Sequence, residues 1–215
     1  AAAMRRAIQE AVRRKDTLGG VFEVVALGVP PGLGSHVHGD RRLTARLLGA
    51  AGTIPAVKGA EVGPAFANAA RPGTEVHDTF HVAAGRVTRT TNRAGGLEGG
   101  ISTGEAVVLR CAMKPLSSTL TPLASVDLAS GEETPASYER SDFCAVPRAA
   151  VVGEAVVGLV LADALLEKLG GDSLAEMGPR FEALTRSEVA SFNMANRPWR
   201  LDPRREASGA EAGDG

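Results

Sequence analysis

A chain of 215 residues with 44% hydrophobic residues carries enough apolar material for one sizeable core. Its formal net charge of −1 exerts no bulk pull on nucleic acid or on a membrane surface, so neither partner is expected and any anion site must be a local cluster. Cys111 and Cys144 lie far apart and form no CxxC pattern, which argues against a disulfide scaffold or a cysteine-ligated zinc and fits a reducing cytoplasm.

The opening residues, AAAMRRAIQEAVRRKD, carry charge throughout and show no secretory pattern. Within them MRRAIQEAVRRKD reads as an amphipathic helix with Ile8 and Val12 on one face, stopped by TLGG. VFEVVALGV is a β-branched strand, PPGLGSHVHGD a loop, and RRLTARLLGAAG a second helix ending at Gly52. TIPAVKGAEVG is a turn and strand, TFHVAAGRVTRTT a hairpin turning near Ala84 and Gly85, and EAVVLRCAMK a strand. LASVDL is a short strand before the turn ASGEET.

AAVVGEAVVGLVLADALL is the most apolar run, but Glu154 and Asp163 interrupt it, whereas a membrane span wants about 20 uninterrupted apolar residues. The helix expected at about 148–169 is apolar on nearly every face and is expected to be deeply buried. A last helical region near 173–195 is expected to break at Gly178 and Pro179, and the polar REASGAEAGDG to be disordered. Residues 1–177 are read as one domain and 178–215 as a tail, partly helical and then disordered. Strands and helices mix without regular βαβ alternation, which makes the class α+β.

Residues 91–104, TNRAGGLEGGISTG, concentrate five glycines. They lack the G-K-[ST] of a P-loop, and GLGSHV only approaches the dinucleotide fingerprint. Bare main chain of this kind either makes a concavity for an anion or a flat ring, or is an ordinary glycine-rich surface loop. Lys114, ending a strand before PLSST, is placed to meet a phosphate, or simply to reach water. Arg140 and Asp142 in RSDFC project to one side of an extended segment, as an anion holder and proton acceptor or as a surface ion pair. His36, His38 and nearby Asp40 offer no evident third ligand, so no metal is assigned. No Ser-His-Asp arrangement or G-x-S-x-G elbow is present.

In order and spacing, GLGSHVH, IPAVKGAEVG, TNRAGGLEGGISTGE, MKPLSST and RSDFCAVPRAAVVGEAVVGLVLAD resemble chorismate synthase, from about residue 1 to about residue 177. The resemblance implies an incomplete mixed β-α-β sandwich of the chorismate synthase type. It implies a carbon–oxygen lyase that eliminates phosphate from 5-enolpyruvylshikimate 3-phosphate to give chorismate, in the pathway to aromatic amino acids. It implies reduced FMN (FMNH2), with NADP among the associated cofactors, and a cytoplasmic homotetramer. By motif, Pro55, Ala56, Gly99, Lys114, Pro115, Leu116, Ser117, Ser118 and Arg140 would hold the flavin. Asn92 and Arg140 would reach the substrate, and Asp142 would assist proton removal. The glycine segment, Lys114 and Arg140 are expected to share one hollow.

Two departures stand out. The family's amino-terminal half, with its two acid–base histidines, several arginines and an Arg-Ser-Ser segment, has no counterpart here, and none of His36, His38, His77 or His81 takes those roles by motif. Ser141 and Phe143 stand where many members have His and Pro. The expectation is therefore a carboxy-terminal portion that is inactive alone. The alternatives are a non-catalytic flavin- or phosphate-binding module and an oligomerisation piece.

Overall fold

The computed structural model describes residues 1–139, 142–185 and 188–189. The first helix, α1 (Ala2–Arg14), ends where Lys15 turns left-handed and its N–H returns to the carbonyls of Ala11 and Val12. Ala11 is the buried residue of α1, while Val12 stays exposed, so the inward face is rotated from the one Ile8 and Val12 define. Strand β1 (Gly20–Ala26) leads through a loop and a 3-10 turn at Gly39–Arg41 into α2 (Leu43–Gly52) and β2 (Val57–Val62). Two short helices, α3 (Ala65–Ala69) and α4 (Gly73–Val76), precede the hairpin β3 (Phe80–Ala83) and β4 (Arg86–Arg89). The glycine segment contributes β5 (Leu97–Glu98) and β6 (Ile101–Ser102). Then come β7 (Val107–Met113), the pair β8 (Ala124–Val126) and β9 (Glu133–Pro135), and the helices α5 (Val146–Leu169) and α6 (Leu174–Thr185).

The centre is an antiparallel sheet in the order β1-β7-β2. Gly20 opposes Met113 and Ala26 opposes Val107 on one side of β7. On the other side Val57 opposes Met113 and Val62 opposes Leu109, with a register shift between Val57 and Gly59. Burial alternates strictly along β7: Val107, Leu109, Cys111 and Met113 point into the core while Arg110 and Ala112 do not. The inward face is covered by α2, through Leu43, Leu47 and Ala51, and by α5, through Val146, Ala149, Gly153 and Val157. On the opposite face Arg110 sits between its cross-strand neighbours Glu23 and Glu61, at 2.9 and 2.7 Å. The result is the α+β arrangement of helices segregated to one face of an antiparallel sheet.

Two expectations are corrected. Helix α6 continues through Gly178 and Pro179. Buried Met177 and the Arg180 guanidinium, which donates to the Leu169 carbonyl at 2.5 Å, anchor its first turns against α5, and tertiary contacts outweigh local propensity. The end of the helical region expected to reach about 195 and the tail REASGAEAGDG, where disorder was expected, lie outside the described residues. Helix α5 is long and apolar enough to cross a membrane by length and composition, with a mean hydropathy of 2.1 over its 18-residue window, yet only 22% of that window is buried. One face packs on β1 and α2, and Val151, Val152, Leu159 and Leu166 on the other side are exposed. Deep burial on all sides would need a second layer, and the two helices of this layer leave their far side open.

Gly153 sets the distance between α5 and the sheet. A Cβ there would lie 2.7 Å from Cε2 of Phe22 and 3.1 Å from Cγ2 of Val24. Gly153→Val should therefore destabilise the fold by about 1–3 kcal/mol through overpacking, read from the midpoint of urea unfolding.

Candidate functional site

The residues expected to form one site fall into two groups at opposite ends of β7. At its carboxyl end, the Lys114 N–H donates to the Ala56 carbonyl at 2.9 Å, which joins the segment Lys114–Ser118 to Pro55 and Ala56. The Thr17 hydroxyl donates to the Leu116 carbonyl at 2.6 Å, and the Leu18 N–H to the Phe143 carbonyl at 2.8 Å. These two bonds, through adjacent residues, bring the Asp142 segment to the same end. A Cβ on the intervening Gly19 would lie 2.4 Å from the Met113 carbonyl and 2.8 Å from the Pro115 nitrogen, so the approach is as close as main chain allows. Val146, in the first turn of α5, packs over Gly20, which aims the helix start at this end of the sheet. Among the described residues no side chain caps that helix. Pro147 brings no N–H and the Arg148 and Ala149 N–H groups return to the Ala145 carbonyl, so what this helix start offers an anion beside exposed Lys114 and Ser117 is the positive end of its dipole.

Three further details shape this end. Ala56 adopts φ 66°, a left-handed conformation that a residue with a Cβ holds only under constraint. Ser118 is committed: its hydroxyl donates to the Glu139 carbonyl and accepts from the Glu139 N–H, both at 2.8 Å. The half-exposed Asp142 carboxylate accepts from the Arg148 guanidinium at 2.5 Å. Arg140 lies outside the described residues.

Asn92 and Gly99 sit at the other end. The Asn92 amide donates to the Ala106 carbonyl at 2.8 Å and its oxygen accepts from the Gly96 N–H at 2.7 Å. Since Ala106 precedes β7 and Lys114 follows it, the two groups are about 26 Å apart at roughly 3.3 Å per residue. Among the described residues the glycine segment and Lys114 do not share the single hollow expected to unite them. Most of the glycines face the protein itself. A Cβ on Gly95 would lie 2.3 Å from the Gly63 nitrogen, and one on Gly96 2.4 Å from the Ala106 carbonyl. Gly99, φ 61°, differs: nothing lies within 4 Å of an added Cβ, so its main chain fronts open space at the β5–β6 turn.

The residue that organises the glycine segment is Asp78, which motif reasoning passed over. It is buried, and its carboxylate accepts from the Thr91 hydroxyl, the Arg93 N–H at 2.8 Å and the Ala94 N–H at 2.9 Å. Burial pushes its pKa up, but these hydrogen bonds and the nearby Arg89 charge outweigh burial and hold it below the ordinary carboxylate range. An acidic residue a dozen positions before a glycine run that needs its amides held was the available signal. Among the described residues no group of three or more His, Cys, Asp and Glu side chains is arranged to hold a metal ion.

The family model described as chorismate synthase matches residues 1–166. The chain is 54% identical over 188 residues to a chorismate synthase of Pelodictyon phaeoclathratiforme, covering 87% of this chain and 47% of that one. It is 57% identical over 175 residues to a chorismate synthase of Saccharopolyspora erythraea, covering 80% and 44% respectively. A solved structure titled Crystal Structure of Chorismate Synthase superposes with a TM-score of 0.73 at 42% identity, covering 88% of this chain and 49% of that one. The chain spans about half the length of the curated relatives it matches.

Asp78→Asn should cost about 1–3 kcal/mol, the penalty of leaving a buried hydrogen bond unmade. Because the folded-state pKa of Asp78 is depressed, its contribution is present above the unfolded carboxylate pKa and is lost as the pH falls below about 4. Unfolding midpoints measured from pH 7 to pH 3 should therefore converge between the parent and the variant at the acid end. Ala56→Gly should raise stability by about 1 kcal/mol, since glycine adopts the left-handed conformation without a Cβ clash, and denaturant unfolding reads it directly.

Proposed function

The chain belongs to the chorismate synthase family, and from that membership we propose that it supplies the flavin-phosphate end of a chorismate synthase site. The observation that carries this reading is the convergence of Pro55–Ala56, Lys114–Ser118 and Asp142 around an uncapped helix start. The donor set fits the phosphate of reduced FMN. An exposed ammonium, an exposed hydroxyl and the positive end of the α5 dipole suit its oxygens, and the Ala56 turn offers main chain to a flat ring.

The reaction is a 1,4-elimination from 5-enolpyruvylshikimate 3-phosphate. A C–H bond breaks, its electron pair enters the ring π system, and phosphate leaves with the electron pair of its C–O bond. Reduced flavin, when bound, lends electron density to that cleavage with no net redox change. Lys114, with Arg140, holds an anionic phosphate, and Asp142, oriented by Arg148, accepts the proton. Asn92 and Gly99 then serve a second region at the far end of β7, completed by another part of the full enzyme or by another subunit. NADP in the supply of reduced flavin and a cytoplasmic homotetramer belong to the same reading.

The half-length match favours binding without turnover. Anaerobic titration of the chain with reduced FMN should give saturable binding, and Lys114→Ala should weaken it roughly ten- to hundredfold. With substrate added, the chain alone should form no chorismate. Absence of flavin binding would overturn the proposal, and robust turnover would overturn its restriction to part of a site.

A further inference from the structure

A cavity of about 610 Å³ lies between the β3–β4 hairpin and the body of the protein, and no residue expected to hold flavin or substrate lines it. One wall is the hairpin, another is Gly28–Pro31 with Thr103–Glu105, and the last turn of α6 adds a third. All four residues of β4 line it but only Phe80 and Ala83 of β3, so the cavity runs along the outer edge of β4. The hairpin is fastened near both ends of that strand. At one end the Arg89 guanidinium donates to the Thr103 carbonyl at 3.3 Å and to Glu98 at 2.7 Å, and lies 4.6 Å over the Phe80 ring. At the other end Arg86 donates to the Thr185 carbonyl, and the Val189 N–H to the Gly85 carbonyl at 2.8 Å. The space between these fastenings is held open.

The register of the hairpin shows what faces this space. The Thr90 N–H donates to the Thr79 carbonyl at 3.3 Å, which makes residues 79 and 90 a hydrogen-bonded pair. Such pairs alternate along an antiparallel ladder, so His81 with Thr88 and Ala83 with Arg86 are the next ones. The N–H and C=O groups of Val87 and Arg89 therefore point away from β3, toward the cavity, and among the described residues none of the four makes a hydrogen bond. Donors and acceptors repeating about every 7 Å along a strand edge match the main chain of an extended peptide. The Val189 N–H on Gly85 is a bond of the same kind, made at the turn that begins this edge. Side chains add selectivity. Phe80 and Val87 share one face of the hairpin and are more than half exposed, and Pro30 and Pro31 stand on the opposite wall. Arg89 is paired with Glu98, and Arg86 meets the negative end of the α6 dipole. The Glu105 carboxylate has no ion pair among the described residues and is the charge left over in the cleft. We propose that this cleft binds an extended segment of another protein by strand addition to β4, with an apolar side chain on Val87 and Phe80 and a lysine or arginine on Glu105. At about 3.3 Å per residue the edge accepts a guest of about four or five residues.

Fluorescence polarisation of a labelled acetyl-VKVKV-amide peptide, titrated with the full chain, should show saturable binding, and the VEVEV counterpart should bind at least about tenfold more weakly. Methylating alternate main-chain nitrogens of the VKVKV peptide removes donors that pair with β4 and should weaken it by about tenfold. Glu105→Lys should weaken it about fivefold. Val87→Pro removes an outward N–H without touching the β3–β4 ladder, and should weaken binding with an unchanged far-UV circular dichroism spectrum. If that variant alters the spectrum, the methylated peptide, which probes the unaltered chain, decides the matter. Hydrogen exchange of the Val87 and Arg89 amides should slow when the peptide is bound, while that of Val82, on the opposite edge, should not change. Absence of saturable binding, equal binding of the methylated or the acidic peptide, or protection at Val82 in place of Val87 would each overturn the proposal.

Discussion

Strand β7 is the element on which the rest depends. It is paired along both edges, to β1 and to β2, and its inward side chains are almost wholly buried. Main-chain hydrogen bonds on both sides leave it no freedom to slide, because a one-residue slip would turn Leu109 and Cys111 outward and Arg110 inward. Both candidate regions are extensions of this strand. Asn92 bonds to the carbonyl just before it, and Lys114 is the residue just after it. The rigidity of the strand therefore fixes each region in place and also keeps them apart.

The glycines show how a bare main chain serves two ends. Gly95 and Gly96 lie where another main chain passes too close for a Cβ, so they are needed for the chain to pack on itself. Gly99 has no such neighbour and opens outward. Asp78 holds the segment by giving its amides a charged acceptor in a buried setting, where an unpaired amide is costly. At the Lys114 end the pattern differs: Ala56 is held in a left-handed conformation and α5 starts without a side-chain cap, beside the exposed Lys114.

Helix α5 illustrates the limit of hydropathy as a guide to burial. Its residues are apolar almost all the way round, and that pattern reads as a helix enclosed on every side. In the fold only the face bearing Ala149, Gly153 and Val157 is enclosed, because a single sheet and a single neighbouring helix can cover one side of a cylinder.

The sequence by itself determined the elements and their class. The hairpin at Ala84 and Gly85, the strand ending at Met113, the long helix before Leu169 and the family motifs were all legible, because turn chemistry, side-chain alternation and motif spacing are local properties. Tertiary structure decided which motifs meet. Whether Lys114 lies beside Ala56 or beside Gly99 depends on strand order and register, which bring distant residues together through main-chain bonds that carry no side-chain signature. For the same reason the role of Asp78, hinted at in sequence only by an acidic residue ahead of a glycine run, was decided once its partners, more than a dozen residues away, had folded onto it.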